Sequence, residues 1–310
     1  MRIIYAAGNR VGSGSQLTRI LPHLTNHEIR TAGYLINNCE LDWTLNALKF
    51  KVLGSEDLVD TNSKSQLLLD LISHIEKFGP DLIISDNDIV LASIAKKLKI
   101  KLWYCSPINL IDGLILDFNL RYYSIFQSYL QLHKFFPTPD KIFIYSPFGD
   151  IKVKLQLKLG FEWITPYFKN PKPSNYNNDI AIINHRNRYK DLSNILKYTN
   201  KVEIVKNNYE EKLYGCKKML TPGETSYVAD AIYAEKNLVI TPDLNDYETL
   251  INARIIKECF IGTDIGQVEL MDKYSLDKIE NALSREHPYK YLSKQNYPFL
   301  HEVINATYSS

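Results

Sequence analysis

Short apolar runs alternate along this chain with stretches whose apolar residues recur at helical spacing. Arg2–Ala6 reads as a buried strand, followed by a Gly/Ser loop and a helix from about Gln16 to Leu24. Leu67–Phe78 carries Leu68, Leu71, Ile72 and Ile75 on one helical face and stops at the breaker pair Gly79–Pro80. Leu82–Ser85 is the next strand, Ile89–Leu98 the next helix and Lys101–Cys105 another strand, and Lys141–Tyr145 reads as the last strand of the first half. Beyond a break the pattern restarts, with strands at Ile180–Ile183, Val202–Val205 and Leu238–Ile240 and helices at Lys190–Tyr198 and Tyr227–Ala234.

Continuous apolar strands alternating with amphipathic helices predict an α/β fold with parallel sheets. The break falls at Lys169–Asn178, which holds two prolines and four asparagines and almost no apolar side chain. The expected organisation is two Rossmann-like domains, 1–168 and 169–310, facing each other across a cleft where ligands bind at strand carboxyl ends.

Composition narrows the picture. With 310 residues, 45% hydrophobic and 23% charged, the chain is an ordinary folded protein with room for two domains. A formal net charge of +2 leaves any nucleic-acid contact to a local basic patch. Cys39, Cys105, Cys216 and Cys259 lie far apart, with no CxxC pair, which argues against a zinc site or a disulfide framework. The first residues lack the apolar run of a signal peptide, and no window reaches a membrane span, so a cytoplasmic location is expected.

The chemistry concentrates in Leu220–Ile255. A loop with Gly223, Glu224, Thr225 and Ser226 opens a helix, and backbone N–H groups at a helix start hold phosphate well. Asp230 sits about one turn into that helix, where a carboxylate can accept hydrogen bonds from a ribose diol. After the next strand come Thr241–Pro242 and an acidic, amide-rich stretch ending in Glu248-Thr249-Leu250-Ile251-Asn252-Ala253.

This ordered set resembles the UDP-glycosyltransferases and the related N-acetylglucosaminyltransferase of peptidoglycan synthesis, both of the GT-B fold. There a Gly-rich loop precedes Glu-Ala-Leu, Gly-Lys-Pro, an apolar strand ending in Pro, and Asp-Gln-x-x-Asn-Ala. Here the counterparts are Asp230-Ala231-Ile232, Glu235-Lys236-Asn237, Val239-Ile240-Thr241-Pro242 and Glu248-Thr249-x-x-Asn252-Ala253. The resemblance implies that Asp230 binds the nucleotide ribose and Glu248, with Thr249, the donor sugar. Asp stands for the family's Glu, Glu-Thr for its Asp-Gln, and Pro222-Gly223 for its paired glycines, departures that leave the donor's base and sugar open.

The first half fits the same resemblance. Its loop Gly8–Gln16, with Gly12, Ser13 and Gly14, lies where such enzymes bring a Gly-rich loop to the donor phosphates and the acceptor. It lacks the third glycine of a dinucleotide fingerprint, which disfavours a nicotinamide dehydrogenase. Many relatives end this loop in a catalytic histidine, but Ser15 or Gln16 stands there, so a loop histidine is not the base. Gly79–Pro107 is a second likeness, and its Asp86 or Asp88 can take the acceptor proton directly, since a carboxylate in a dry cleft is raised toward general-base range. The competing reading makes either one the N-cap of the helix at Ile89; Asp86 is the preferred base.

His185, Arg186 and Arg188 follow the first strand of the second half, where they can neutralise a leaving diphosphate or simply face solvent. The aromatics from Trp103 to Phe136 fall in the part that binds acceptors in the look-alikes, though such a stripe is more often core. The expected reaction is displacement at the anomeric carbon with inversion, metal-independent and with no cofactor beyond the nucleotide-sugar, most simply a UDP-sugar, as co-substrate. A small metabolite, a glycan, a lipid-linked sugar or a hydroxylated DNA base all remain open as acceptor. Lys49, Lys51, Lys152, Lys154 and Lys158 are the candidate basic groove for DNA, and Ile108–Leu116 the candidate apolar patch for lipid. The alternatives are a UDP-sugar epimerase of the same fold and a non-catalytic nucleotide-sugar or nucleic-acid binder. The last helix is expected to pack back on the N-terminal domain.

Overall fold

The computed structural model describes residues 1–8, 11–35, 39–45, 66–106, 136–145, 147, 160–168, 178–183, 202–204, 212–213, 215–243, 246–258, 262–266, 273–284 and 297–308. The chain divides into two units: Met1–Tyr145 with Leu157–Ile164 and Pro298–Ser310, and Ser146–Gln156 with Thr165–Tyr297.

In the first unit, β1 (Arg2–Ala7), β2 (Glu28–Gly33), β3 (Trp43–Thr44), β4 (Leu82–Asp86), β5 (Lys101–Cys105), β6 (Lys141–Tyr145) and β7 (Phe161–Ile164) form one sheet. The order is β3-β2-β1-β4-β5-β6-β7, and every pairing is parallel. Lys141–Tyr145 is therefore not the last strand of this half. Phe161–Ile164 adds an edge, and its four residues are too short to stand out as an apolar run. Helices α1 (Val11–Ile20), α2 (Gln66–Phe78) and α3 (Ile89–Leu98) lie between strands in the chain.

The central strand β1 is inaccessible from Ile3 to Ala7, as a parallel strand covered on both faces must be. On one face Ile4, Ala6, Ile83 and Leu102 pack with Leu71 and Ile75 of α2 and Leu91 and Ala95 of α3.

The second unit has a smaller parallel sheet of β8 (Asn178–Ile182), β9 (Val202–Ile204), β10 (Cys216–Thr221), β11 (Asn237–Ile240) and β12 (Thr263–Asp264), in the order β12-β11-β10-β8-β9. Its helices are α4 (Thr225–Tyr233), α5 (Tyr247–Glu258) and α6 (Lys273–Leu283). Asn178, expected to end the linker, already opens β8; residues 169–177 and the expected helix at Lys190–Tyr198 lie outside the described residues. The terminal helix α7 (Leu300–Tyr308) belongs to the first unit, where Tyr308 packs on Trp103 at 6.2 Å and Asn305 bonds His27 at 2.9 Å. Among the described residues no helix is long and apolar enough to cross a membrane.

Both sheets contain a point where the strand order reverses, between β1 and β4 in the first and between β8 and β10 in the second. Connections leave such a point in opposite directions, and the crevice they open at the carboxyl ends is where open parallel sheets bind ligands.

Candidate functional site

At the first reversal the ends of β1 and β4 are pressed together. A Cβ on Gly8 would lie 2.2 Å from the Asp86 carbonyl oxygen and 3.2 Å from that of Asn87, so no side chain fits there. Asn87 takes a left-handed φ of 59°, which asparagine tolerates better than most residues. Helix α1 begins at Val11, three residues after Gly8. Gly12, Ser13 and Gly14 are thus in the first turns of a helix beginning at Val11, not in a loop ahead of a helix beginning at Gln16. Buried Leu17 and Ile20 anchor that helix, and their packing outweighs the weak helix preference of its two glycines.

Asp86 is 2% exposed at the end of β4. Strand alternation puts it on the face of Leu82 and Ile84. Around it lie Cys105 and Tyr145, both pushed well up, chiefly by burial, with the Asp86 charge adding to the rise. The Tyr145 hydroxyl is within 3.3 Å of the Tyr5 hydroxyl. Asp86 is thus a buried polar group at the carboxyl edge of the sheet.

Asp88 points elsewhere and is the helix cap. Its Oδ1 accepts the Leu91 N–H at 2.7 Å, and its Oδ2 accepts the Tyr34 hydroxyl at 2.8 Å. Its backbone is tied to Ser85, whose Oγ donates to the Asp88 carbonyl at 2.8 Å and accepts the Asp88 N–H at 2.9 Å. Burial pushes the carboxyl up to about 6, against the pull of these hydrogen bonds.

A stability prediction follows from that shift. The folded value lies above the roughly 4 of an unfolded aspartate, so the ionised form costs stability above about pH 6, and the cost fades as pH falls from 6 towards 4. Asparagine caps a helix as well as aspartate does. The stability of Asp88→Asn relative to the wild type is therefore expected to rise by roughly 1–2 kcal/mol from pH 5 to pH 8. Thermal melts of the two proteins across that range check it; a constant difference would contradict it.

At the second reversal, β10 runs through Thr221 into Pro222, Gly223 and Glu224, and α4 begins at Thr225. Gly223 holds φ at 102°, and a Cβ there would sit 3.0 Å from Ile240 Cγ2, so both conformation and space call for glycine. Its N–H donates to Thr221 Oγ1 at 3.2 Å. Helix α5 meets this turn from the other side. Asp246 caps α5 by accepting the N–H groups of Glu248 and Thr249 on Oδ1, at 2.9 and 3.4 Å, a cap the sequence reading missed although aspartate before an acidic first turn is its usual signal.

Glu248 Oε1 accepts the Thr225 N–H at 2.8 Å, so this carboxylate closes the start of α4 and is not held out for a sugar alone. Thr249 is buried; its hydroxyl donates to the Asp246 carbonyl at 3.0 Å and accepts the Asp243 N–H at 3.0 Å, so it shapes the loop before α5. Asn252, to which the sequence reading gave no role, donates from Nδ2 to the Gly223 carbonyl at 2.8 Å and to Thr225 Oγ1 at 3.0 Å. Ser226 is half-buried in the first turn of α4. Asp230, in the middle of α4, has no accessible surface, so a ribose reaches it only after the covering atoms move. The structure thus gathers Gly223, Glu224, Thr225, Glu248 and Thr249 at one strand end and sets Asp230 into the helix interior. His185, Arg186 and Arg188, which follow β8 in sequence, lie outside the described residues, as do the lysines and apolar patch named above for acceptors.

The chain matches no protein-family model and no curated protein sequence. Its fold has counterparts among solved structures. The spinosyn rhamnosyltransferase SpnG superposes with a TM-score of 0.63 over 100% of both chains at 12% identity. The glycosyltransferase VinC, solved in complex with dTDP, gives 0.57 over 99% of this chain and 98% of its own, at 12% identity. A UDP-N-acetylglucosamine 2-epimerase gives 0.53 over 94% and 92%, also at 12%. Likeness over the whole length at such low identity is likeness of architecture: this chain has the GT-B fold, with a seven-stranded and a five-stranded parallel sheet.

Proposed function

We propose that this protein transfers a sugar from a nucleotide-sugar to an acceptor hydroxyl, holding the donor's diphosphate at the start of α4. The observation that carries this reading is the turn at the reversal of the second sheet, where Gly223, at a left-handed φ that leaves no room for a side chain, leads directly into the start of α4. The solved complexes of VinC with dTDP and of S. aureus MnaA with UDP support a nucleotide as ligand of this architecture. The helix-start turn carries the donor reading more directly than Asp230, whose burial keeps it from a ribose unless the site opens. Glu248 and Thr249 border the same turn and are proposed to meet the donor sugar, with Arg186 and Arg188 as counter-charges for the diphosphate.

Asp86 is the proposed general base. It takes the proton of the acceptor hydroxyl as that oxygen attacks the anomeric carbon; the bond from that carbon to the diphosphate oxygen breaks, and the nucleoside diphosphate leaves with its electron pair. Asp88 is less suited, because both its oxygens are engaged by Leu91 and Tyr34. Attack opposite the leaving group inverts the anomeric centre, and the reading needs no metal.

A thermal-shift screen against UDP-, GDP- and dTDP-sugars tests it. Binding at a hundred times Kd contributes about 2.7 kcal/mol, a rise of roughly 5 °C or more for units of this size. No shift with any donor would remove the reading. The second reading is an epimerase, favoured by the likeness to the UDP-N-acetylglucosamine 2-epimerase. Interconversion of donor sugars without an acceptor would identify it.

A further inference from the structure

We infer that Asn252 is a positioning residue that holds the helix-start turn in the shape a diphosphate requires. This rests on the proposed donor role of that turn. Asn252 lies one helical turn after Glu248 on α5, so the two side chains share a face. Asn252 is fully buried, and both hydrogens of its Nδ2 are spent on one segment: the Gly223 carbonyl at 2.8 Å and Thr225 Oγ1 at 3.0 Å. With Thr221 Oγ1 on the Gly223 N–H and Glu248 Oε1 on the Thr225 N–H, the segment on either side of Glu224 is fixed at four polar atoms.

The other end of the same amide marks the residue as more than packing. A carbonyl only accepts, so the contact with Gly223 sets which way the amide faces. Its Oδ1 is left buried without a hydrogen-bond partner among the described residues. An orphaned buried acceptor lowers stability, and a core position chosen for stability alone would not carry one. What the amide supplies in return is its grip on Gly223, a residue at left-handed φ whose backbone has no side chain of its own to hold it. The first intrahelical bond of α4 runs from the Val228 N–H to the Glu224 carbonyl, so the amides ahead of it have no helical acceptor. Their aim depends on where Gly223–Thr225 is pinned.

The test compares Asn252→Ala and Asn252→Asp with Ile256→Ala, a buried residue one turn along the same helix that lies against Gly262. Asn252→Asp keeps the size and removes both donors. Three quantities are measured on each full-length protein: melting temperature, Kd for UDP and dTDP, and amide exchange of the peptide 221–228. Both Asn252 variants are expected to bind nucleotide about tenfold more weakly and to exchange about tenfold faster, the scale of two lost hydrogen bonds. Ile256→Ala, with an equal or larger loss of melting temperature, should change neither by more than about twofold. Nucleotide binding by the wild type that is unaltered in both Asn252 variants, or weakened as much by Ile256→Ala, overturns the positioning role alone. A wild type that binds neither nucleotide overturns the donor reading and the positioning role with it.

Discussion

Asp86→Asn is expected to leave the fold and donor affinity as in the wild type while slowing sugar transfer by about 10²–10⁴-fold, the usual worth of a general base. The substitution keeps the shape of a residue that is 2% exposed, so packing with Cys105 and Tyr145 survives. What disappears is the capacity to take a proton at the carboxyl end of the strand where the sheet order reverses. Asp88→Asn serves as the internal comparison, since it removes a carboxylate two residues away whose oxygens already serve Leu91 and Tyr34. Initial rates at saturating donor, alongside calorimetric donor Kd, separate the cases. Transfer by Asp86→Asn within threefold of the wild type would reduce Asp86 to a structural role.

The second large effect is expected at Gly8. Alanine there places a Cβ 2.2 Å from the Asp86 carbonyl oxygen, and the obstacle is main chain of the neighbouring central strand, which no side-chain rotation relieves. Overpacking in a well-packed core costs 1–3 kcal/mol and more where the backbone itself must move, so Gly8→Ala should destabilise by about 3 kcal/mol or more. That corresponds to a fall in melting temperature of roughly 6 °C or more. Any folded fraction should have lost transfer, because the atoms that must give are those of Asp86 and Asn87. Gly160→Ala is the control: a Cβ meets nothing within 4 Å, and only a φ of 89° opposes it. A loss at Gly8 no larger than at Gly160 would show that the two strand ends have room between them.

How much of this was legible in the sequence depended on where the constraint lay. Strands β1, β4, β5 and β6 announced themselves because central parallel strands are apolar over most of their length. β2 and β10 did not. Glu28 and Arg30 in one and Lys217 and Lys218 in the other bring charge into the first half of the strand, while Ala32 and Met219–Thr221 are buried further along. The pair of glycines near Gln16 read as loop, since local propensity disfavours glycine in helices; packing of Leu17 and Ile20 decided otherwise. In the candidate site the strand at Leu238–Ile240 and the helix after Gly223 were legible, but the acidic, amide-rich stretch around Glu248 gave no sign of the helix Tyr247–Glu258. The same residues gave no sign that Glu248 would close the start of α4 or that Asn252 would grip Gly223. Those contacts span 23 and 29 residues and exist only once α5 packs beside the turn. Asp88 carried its cap signal openly, but its bond to Tyr34, 54 residues away, did not show.

The donor role of the turn at Gly223 depends on where a nucleoside diphosphate binds. The direct measurement is a crystal structure of the full chain grown with UDP or dTDP at concentrations that raise its melting temperature. The account predicts diphosphate oxygens within hydrogen-bond reach of backbone N–H groups in Gly223–Ser226, with Gly223 still at left-handed φ and Asn252 still on its carbonyl. A nucleotide bound elsewhere, with that turn unliganded, would contradict it.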